Sequence, residues 1–327
     1  MAVPTATASH KPGMIRPGVP LQRFRHRSGW WVPYAFLIPA VLFELLVQIV
    51  PILVGIWMST VKLTEYFIAD WQAAPFAGID NYKVSLDFHG AVGASLLNSF
   101  AISCAYAVLV VGFSWILGMA GATALQRSFR GRSLIRTVFL VPYAIPVYAG
   151  IIAWKFILQK DTGALNHLLG DNLHLFASSD KPFWLIGGNA FVSIVLVATW
   201  PMWPFAFLML MAGLQSIPEE LYEASLVDGA RPFRQWRSIT LPMLEPVNRV
   251  LVLVMFLWVF NDFNTPFILF GGAEPPSADL ISFHIYSSSF VTLNFGLGSA
   301  MSVLLVLFLL LVTGTYLLIL SRRSRHA

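Results

Sequence analysis

The chain has 327 residues, of which 57% are hydrophobic and only 11% charged. Its 21 Lys and Arg against 16 Asp and Glu give a formal net charge of +5, and the mean hydropathy is +0.70. Soluble domains carry about 25% charged residues, so a large water-soluble fold is excluded and a polytopic helical membrane protein fits. The lone cysteine, Cys104, rules out an intrachain disulfide and reads as a small buried apolar group.

Residues 1–30 are polar and basic and lack the short apolar core and cleavage site of a signal peptide. A disordered cytoplasmic tail is expected there, then one membrane domain over 31–322 and a short tail at 323–327. Crossing a bilayer takes roughly 20 apolar residues at about 1.5 Å each. Six runs satisfy this, near Val32–Met58, Ser95–Leu125, Thr137–Leu158, Asn189–Leu214, Val247–Phe270 and Gly296–Leu320. The expected fold is all-α with six transmembrane helices. No 20–50-residue period repeats along the chain.

Basic residues orient these spans. Lys11, Arg16, Arg23, Arg25 and Arg27 precede span one; Arg127, Arg130, Arg132 and Arg136 follow span two. Arg231, Arg234 and Arg237 follow span four, and Arg322, Arg323 and Arg325 end the chain. The opposite side has Lys62, Lys83, Lys160 and Lys181, while Lys155 and Arg249 lie at span ends. The positive-inside rule therefore predicts cytoplasmic termini. The net charge reads as topology and implies no nucleic-acid partner.

A polar insert at 216–242 separates spans four and five, and it is longer than a turn requires. Ser216 and Glu219 have capping-box spacing, with Pro218 in the first turn, which predicts a helix of about 11 residues to Asp228. Gly229 is the predicted stop. A second helix is expected over about 232–240, with Phe233, Trp236 and Ile239 on one side and Pro242 ending it. Two readings stand on these residues: an amphipathic loop at the lipid interface, or a docking helix with small Ala224 and Ser225 for close approach and Glu223 as charged anchor.

Glu223-Ala224-Ser225, then Gly229, Ile239, Leu241 and Pro242, resemble the EAA loop of ABC-importer permeases at the family's spacing. The third position departs, with Ser225 in place of Ala. The run from Gly213 to Tyr222 is similar to the sugar-type, maltose/glycerol-phosphate permeases in particular. Phe76 to Tyr82, Pro142 to Pro146, Phe260 to Phe263 and Tyr286 to Phe295 carry the resemblance over about residues 30–322. It implies a type I importer permease that transports carbohydrate with a second permease, a cytoplasmic ATPase dimer and an extracytoplasmic solute-binding protein. It further implies ATPase coupling through Glu223, Ala224, Ser225, Asp228, Gly229, Leu241 and Pro242. The loops at 62–94 and 159–188 would meet the binding protein.

Independently, none of the six lysines follows a glycine, so the chain has no Gly-Lys-Ser/Thr phosphate loop. ATP and Mg²⁺ would sit on the partner ATPase, and no cofactor is expected on this chain. Within the spans, polar groups are costly and face the bundle interior. Asn261, Asp262 and Asn264 interrupt span five roughly 24 Å from its cytoplasmic end and offer hydrogen bonds suited to sugar hydroxyls. Tyr148, Trp200 and Trp203 could stack on sugar rings. The same polar residues could instead cap a broken helix or join spans, and the aromatics could be packing. Pro142, Pro146, Pro201 and Pro204 predict bent or unwound spans. Glu44 and Gln48, one turn apart, read as a structural hydrogen-bonded pair. His167 and His174 flank Asp171 without metal spacing, and no catalytic constellation is present. An integral-membrane enzyme acting on lipid-linked sugar would need an acidic or His cluster at the interface. A glycerol-phosphate cargo would favour Arg or Lys deep in a span. Neither is seen.

Overall fold

In a bilayer the backbone must satisfy its own polar groups, which leaves helices as the economical solution for these sequences. A computed structural model describes residues 31–126, 128–177, 180–273 and 275–323. The expected tail at 1–30, Arg127, and the expected tail at 323–327 apart from Arg323, which ends the last helix, lie outside these residues. Among the described residues there is no sheet; Val61 and Phe76 form one isolated antiparallel bridge.

Helix α1 (Tyr34–Met58) is the first candidate span and contains a π turn over Leu45–Ile49. The chain divides into two compact units, the first ending at Ile52 and the second beginning at Leu53. Within the first unit Gln48 Nε2 donates to Glu44 Oε1 at 2.5 Å, the expected pair.

The second unit contains α2 (Asp80–Leu86), α3 (Ala91–Ala124), α4 (Arg132–Ala144), α5 (Val147–Ile157) and α6 (Asn189–Gln215). The polar insert follows, with α7 (Glu219–Val227) and α8 (Pro232–Gln235). The chain ends with α9 (Glu245–Phe260), α10 (Asn264–Phe270), α11 (Ile281–Tyr286) and α12 (Phe295–Arg323). Among the described residues, five stretches are long and apolar enough to cross a membrane, or six when α4 and α5 count as one span. Those two turn by 91°. The break is at Ile145, whose extended ψ of 133° follows from Pro146 disfavouring the helical region before it. Pro201 and Pro204 behave differently from the expectation: α6 runs through both as one helix.

The centre of the unit is the pair α3 and α6. Ser99, Ser103, Tyr106, Val110, Ser114 and Gly118 recur at helical spacing and are buried on α3. A Cβ on Gly118 would come within 2.7 Å of Phe207 N and 2.8 Å of Ala206 Cβ. The missing side chain therefore sets the interhelical distance. Gly213 receives Leu244 and Val247 in the same way, seating the start of α9 on α6. Cys104 is half-buried, less than expected.

Side-chain amides fix the connecting loops. Asn81 Nδ2 donates to the carbonyls of Ser59 and Val61 at 2.9 Å each, and Gly296 N donates to Leu63 O at the head of α12. Buried Asn166 donates to Lys160 O and Pro182 O and accepts from Trp184 Nε1 at 2.7 Å. Nearby, hydrogen bonds from His167 and then Lys181 hold the Asp171 carboxyl below its usual pKa. No group of three or more His, Cys, Asp or Glu among the described residues could hold a metal.

Gly118→Ala should destabilise the protein by about 1–3 kcal/mol, the range for overpacking. Gly112→Ala, where a Cβ meets nothing within 4 Å, should be neutral or stabilising by up to about 1 kcal/mol from helix propensity. Thermal unfolding of the purified protein in detergent checks both. Equal midpoints for the two variants would show that Gly118 does not set the α3–α6 distance.

Candidate functional site: the insert and the broken fifth span

The insert begins where α6 ends. Ser216 has helical angles and its Oγ donates to Gly213 O at 2.7 Å. The predicted capping box therefore does not form. The hydroxyl instead adds a second bond to the Gly213 carbonyl, which also accepts from Ser216 N at 3.1 Å, at the end of α6. Pro218 becomes the N-cap of α7, with no side-chain cap, and α7 has nine residues, with Asp228 as its C-cap.

The stop at Gly229 is as predicted, and its geometry is a Schellman motif. Gly229 N donates to Leu226 O at 3.0 Å and Ala230 N to Ser225 O at 2.9 Å. Gly229 has φ +75°, and a Cβ there would meet no atom within 4 Å. Glycine is needed for its left-handed backbone and not for space.

The second arm is longer than expected. From α8 a π turn continues over Trp236–Thr240 and a further helical turn over Leu241–Met243. Pro242 sits in the first turn of that last piece, where its missing N–H is harmless, and so does not end the arm. Tyr222 OH meets the hydroxyl of buried Thr240 at 2.9 Å, and Gln235 Nε2 donates to Ser225 Oγ at 2.9 Å. These bonds, with Ser225 Oγ donating to Tyr222 O, join the two arms into one rigid element. Tyr222, Trp236, Ile239 and Leu241 pack on the hydrophobic core.

What remains outward is distinctive. Glu223, Ala224 and Asp228 are exposed, and among the described residues Glu223 has no ion pair. Val227 is 89% exposed and Phe233 70%, with Leu226 beside them in sequence. Phe233 does not turn inward with Trp236 and Ile239 as expected; it stacks on the Trp236 ring from outside at 6.0 Å. An element with two rigid arms, exposed large apolar side chains and a free carboxylate has the makings of a protein-docking surface. Sequence reasoning missed Val227 and Phe233. Their signal is two large apolar residues flanking a glycine stop in an otherwise polar segment.

Span five breaks at Asn261–Phe263. Asp262 Oδ1 accepts from Thr265 N at 3.1 Å, capping α10, and Oδ2 accepts from Tyr106 OH at 2.6 Å. Ser282 Oγ donates to Asp262 O at 2.6 Å. The carboxylate thus joins α3 and α10, while the Asp262 backbone carbonyl holds α11, partners that no local pattern announces. Asn261 is exposed and its Nδ2 donates to Leu257 O; Asn264 is half-buried with no side-chain hydrogen bond among the described residues. Lys155 Nζ donates to Ile268 O at 2.9 Å, satisfying a carbonyl near the end of α10. Tyr148 is exposed on α5. Trp200 makes an edge contact with Trp154 at 6.1 Å, and Trp203 with Phe139 at 5.1 Å. Among the described residues, no side-chain hydrogen bond or ring contact joins any two of the six candidates.

Removing either member of the Tyr106–Asp262 pair strands the other in a part-buried site, which costs about 1–3 kcal/mol. Tyr106→Phe and Asp262→Ala are therefore expected to be non-additive, with a coupling of about 0.5–3 kcal/mol in a double-mutant cycle of thermal stability. Strict additivity would remove the bond from the account of the break.

Comparison with known proteins returns a consistent picture. Residues 111–326 match the family model described as binding-protein-dependent transport system inner membrane component. The trehalose/maltose transport system permease protein MalF of Thermococcus litoralis is 29% identical over 287 residues, covering 87% of this chain and 92% of that protein. The inner membrane ABC transporter permease protein YcjO of Escherichia coli K12 is 32% identical over 238 residues, 72% of this chain and 77% of that one. The sn-glycerol-3-phosphate transport system permease protein UgpA of Agrobacterium fabrum is 29% identical over 284 residues, 86% and 92% respectively. In fold, the chain resembles a chain of a bacterial ABC transporter that imports the acidic polysaccharide alginate. The TM-score is 0.69 at 21% identity, covering 90% of this chain and 96% of that one. With its bent third span, broken fifth span and two-armed insert, the chain belongs to the family of binding-protein-dependent transport system inner membrane components.

Proposed function

We propose that this chain is the permease subunit of an ATP-driven, binding-protein-dependent carbohydrate importer, where it lines half of the translocation path. As a member of its family it is a multi-pass protein of the plasma membrane. The observation that carries the proposal is the insert: a braced helix–turn–helix whose outer face offers Glu223, Ala224, Val227 and Phe233. Such a face fits a cytoplasmic ATPase dimer, with Glu223 as polar anchor and Gly229 setting the turn between the arms. Hydrolysis belongs to that partner chain, with its ATP and Mg²⁺, since no Gly-Lys-Ser/Thr loop exists here. The basic residues flanking the spans favour cytoplasmic termini and insert. A second permease completes the path, and an extracytoplasmic solute-binding protein delivers cargo to the loops at 62–94 and 159–188. Asn261, Asn264 and Tyr148 are the path candidates with polar groups free for a sugar; Asp262 would contribute by holding the break open.

A neutral sugar fits better than a phosphate ester. A phosphate favours free Arg or Lys along the path, but Lys155 is bound to Ile268 O and Arg249 pairs with Glu245.

Gly229→Val, which forces a β-branched side chain to φ +75°, should abolish ATP-driven uptake into proteoliposomes while leaving membrane levels intact. Gly229→Asn should retain part of the activity, because Asn tolerates the left-handed region. Normal transport by the Val variant would reject the coupling role of the turn. For cargo, a thermal-shift screen of the cognate binding protein should show stabilisation by neutral sugars. Stabilisation by glycerol phosphate alone would reverse that assignment.

A further inference from the structure

The turn between α3 and α4 contains two arginines without an answer inside the chain. Arg132 and Arg136 lie one turn apart on one face of α4 and are half-buried. The Nε atom of each is shielded from water and has no hydrogen-bond partner. Among the described residues the pair makes one side-chain bond: Arg136 Nη2 donates to Leu125 O at 3.2 Å, at the end of α3. No carboxylate among the described residues comes within 4.0 Å of either guanidinium.

The sequence is part of the reason. No Asp or Glu occurs between Asp87 and Asp161, which takes in all of α3, α4 and α5, and α6 has none either. The elements around the pair therefore supply no counter-charge. Two half-buried guanidinium charges on one face without a carboxylate are costly, and they call for an anion from outside the chain that meets their outward N–H groups. The first turn of α4 also lacks a side-chain cap, so its free amides add to the attraction.

The neighbouring residues say what bears that anion. Immediately along α4, Leu134 and Val138 are exposed, and Phe129 is exposed just before it. Apolar side chains facing outward in the turn that follows two arginines mark the edge of a bilayer, where arginines hold their heads at the phosphate level. A protein partner could supply a carboxylate, but only a lipid supplies a phosphate and acyl chains together.

We propose that Arg132 and Arg136 form a binding site for the phosphate of an anionic glycerophospholipid, whose acyl chain lies along Leu134 and Val138. The lipid completes the α3–α4 corner and stabilises the subunit.

The test uses the full chain, purified in detergent and stripped of lipid. Its thermal-unfolding midpoint is followed while short-chain phosphatidylglycerol, phosphatidylcholine or inorganic phosphate is added. Phosphatidylglycerol should raise the midpoint saturably, phosphatidylcholine less, and inorganic phosphate not at all at matched concentration. Arg132→Gln should raise the half-saturating concentration about tenfold, as expected for losing a charge-assisted hydrogen bond. Arg234→Gln, which removes an equal charge from the insert, should leave it unchanged. If Arg132→Gln does not fold, Arg132→Lys keeps the charge but loses the planar fork, and should weaken binding about threefold or more. Wild-type affinity in the Arg132 variant that folds would overturn the site. So would equal stabilisation by inorganic phosphate, or equal weakening by Arg234→Gln, which would leave only diffuse electrostatics.

Discussion

Backbone groups released within a membrane must find partners in the protein, and this requirement organises the chain wherever a helix stops. The break in span five places Asp262 on Thr265 N and Tyr106 OH, and brings Lys155 onto the carbonyl of Ile268. The loop before α2 closes on Asn81, and the loop after α5 on Asn166. Asp262 and Lys155 are polar where polarity is expensive because each answers a backbone donor or acceptor that lipid cannot, and Asn81 and Asn166 do the same for backbone carbonyls in the connecting loops. The close α3–α6 approach at Gly118 supplies the rigid frame against which the interruptions are measured.

The insert obeys the opposite rule. Its internal hydrogen bonds face inward, through Tyr222, Thr240, Ser225 and Gln235, while its outward face keeps large apolar side chains and a free carboxylate in view. A segment that is internally braced and externally unsatisfied transmits force well, since a push on one arm moves the other. It also connects directly to both α6 and α9 through Gly213 and Leu244. The insert thereby leads into the helix that runs to the break at Asn261–Phe263.

Much of this was legible in the residues. Five of the six apolar runs match helices long enough to cross a membrane and the third matches the bent pair α4 and α5, because apolar length is a direct consequence of bilayer thickness. Gly229 was legible because a positive φ narrows the choice of residue. The Ser216–Glu219 spacing misled, because the same serine could serve either the end of α6 or the start of α7, and a local pattern does not choose between them. Pro201 and Pro204 misled for a related reason: a proline forbids one hydrogen bond, but the packing of α6 against α3 keeps the helix whole. Pro146 did break its span, where the flanking helices turn apart.

By itself, then, the sequence determined the membrane class, the spans and the place and turn of the insert. These depend on hydropathy, charge and backbone preference, all properties of neighbouring residues. Only the tertiary structure decided that Asp262 bonds Tyr106 across 156 positions, that Ser225 braces Gln235, and that Val227 and Phe233 stay outside. It also decided that Arg132 and Arg136 stand without a carboxylate. Those outcomes depend on which distant groups come within about 3 Å of each other, and that is set by how the helices pack.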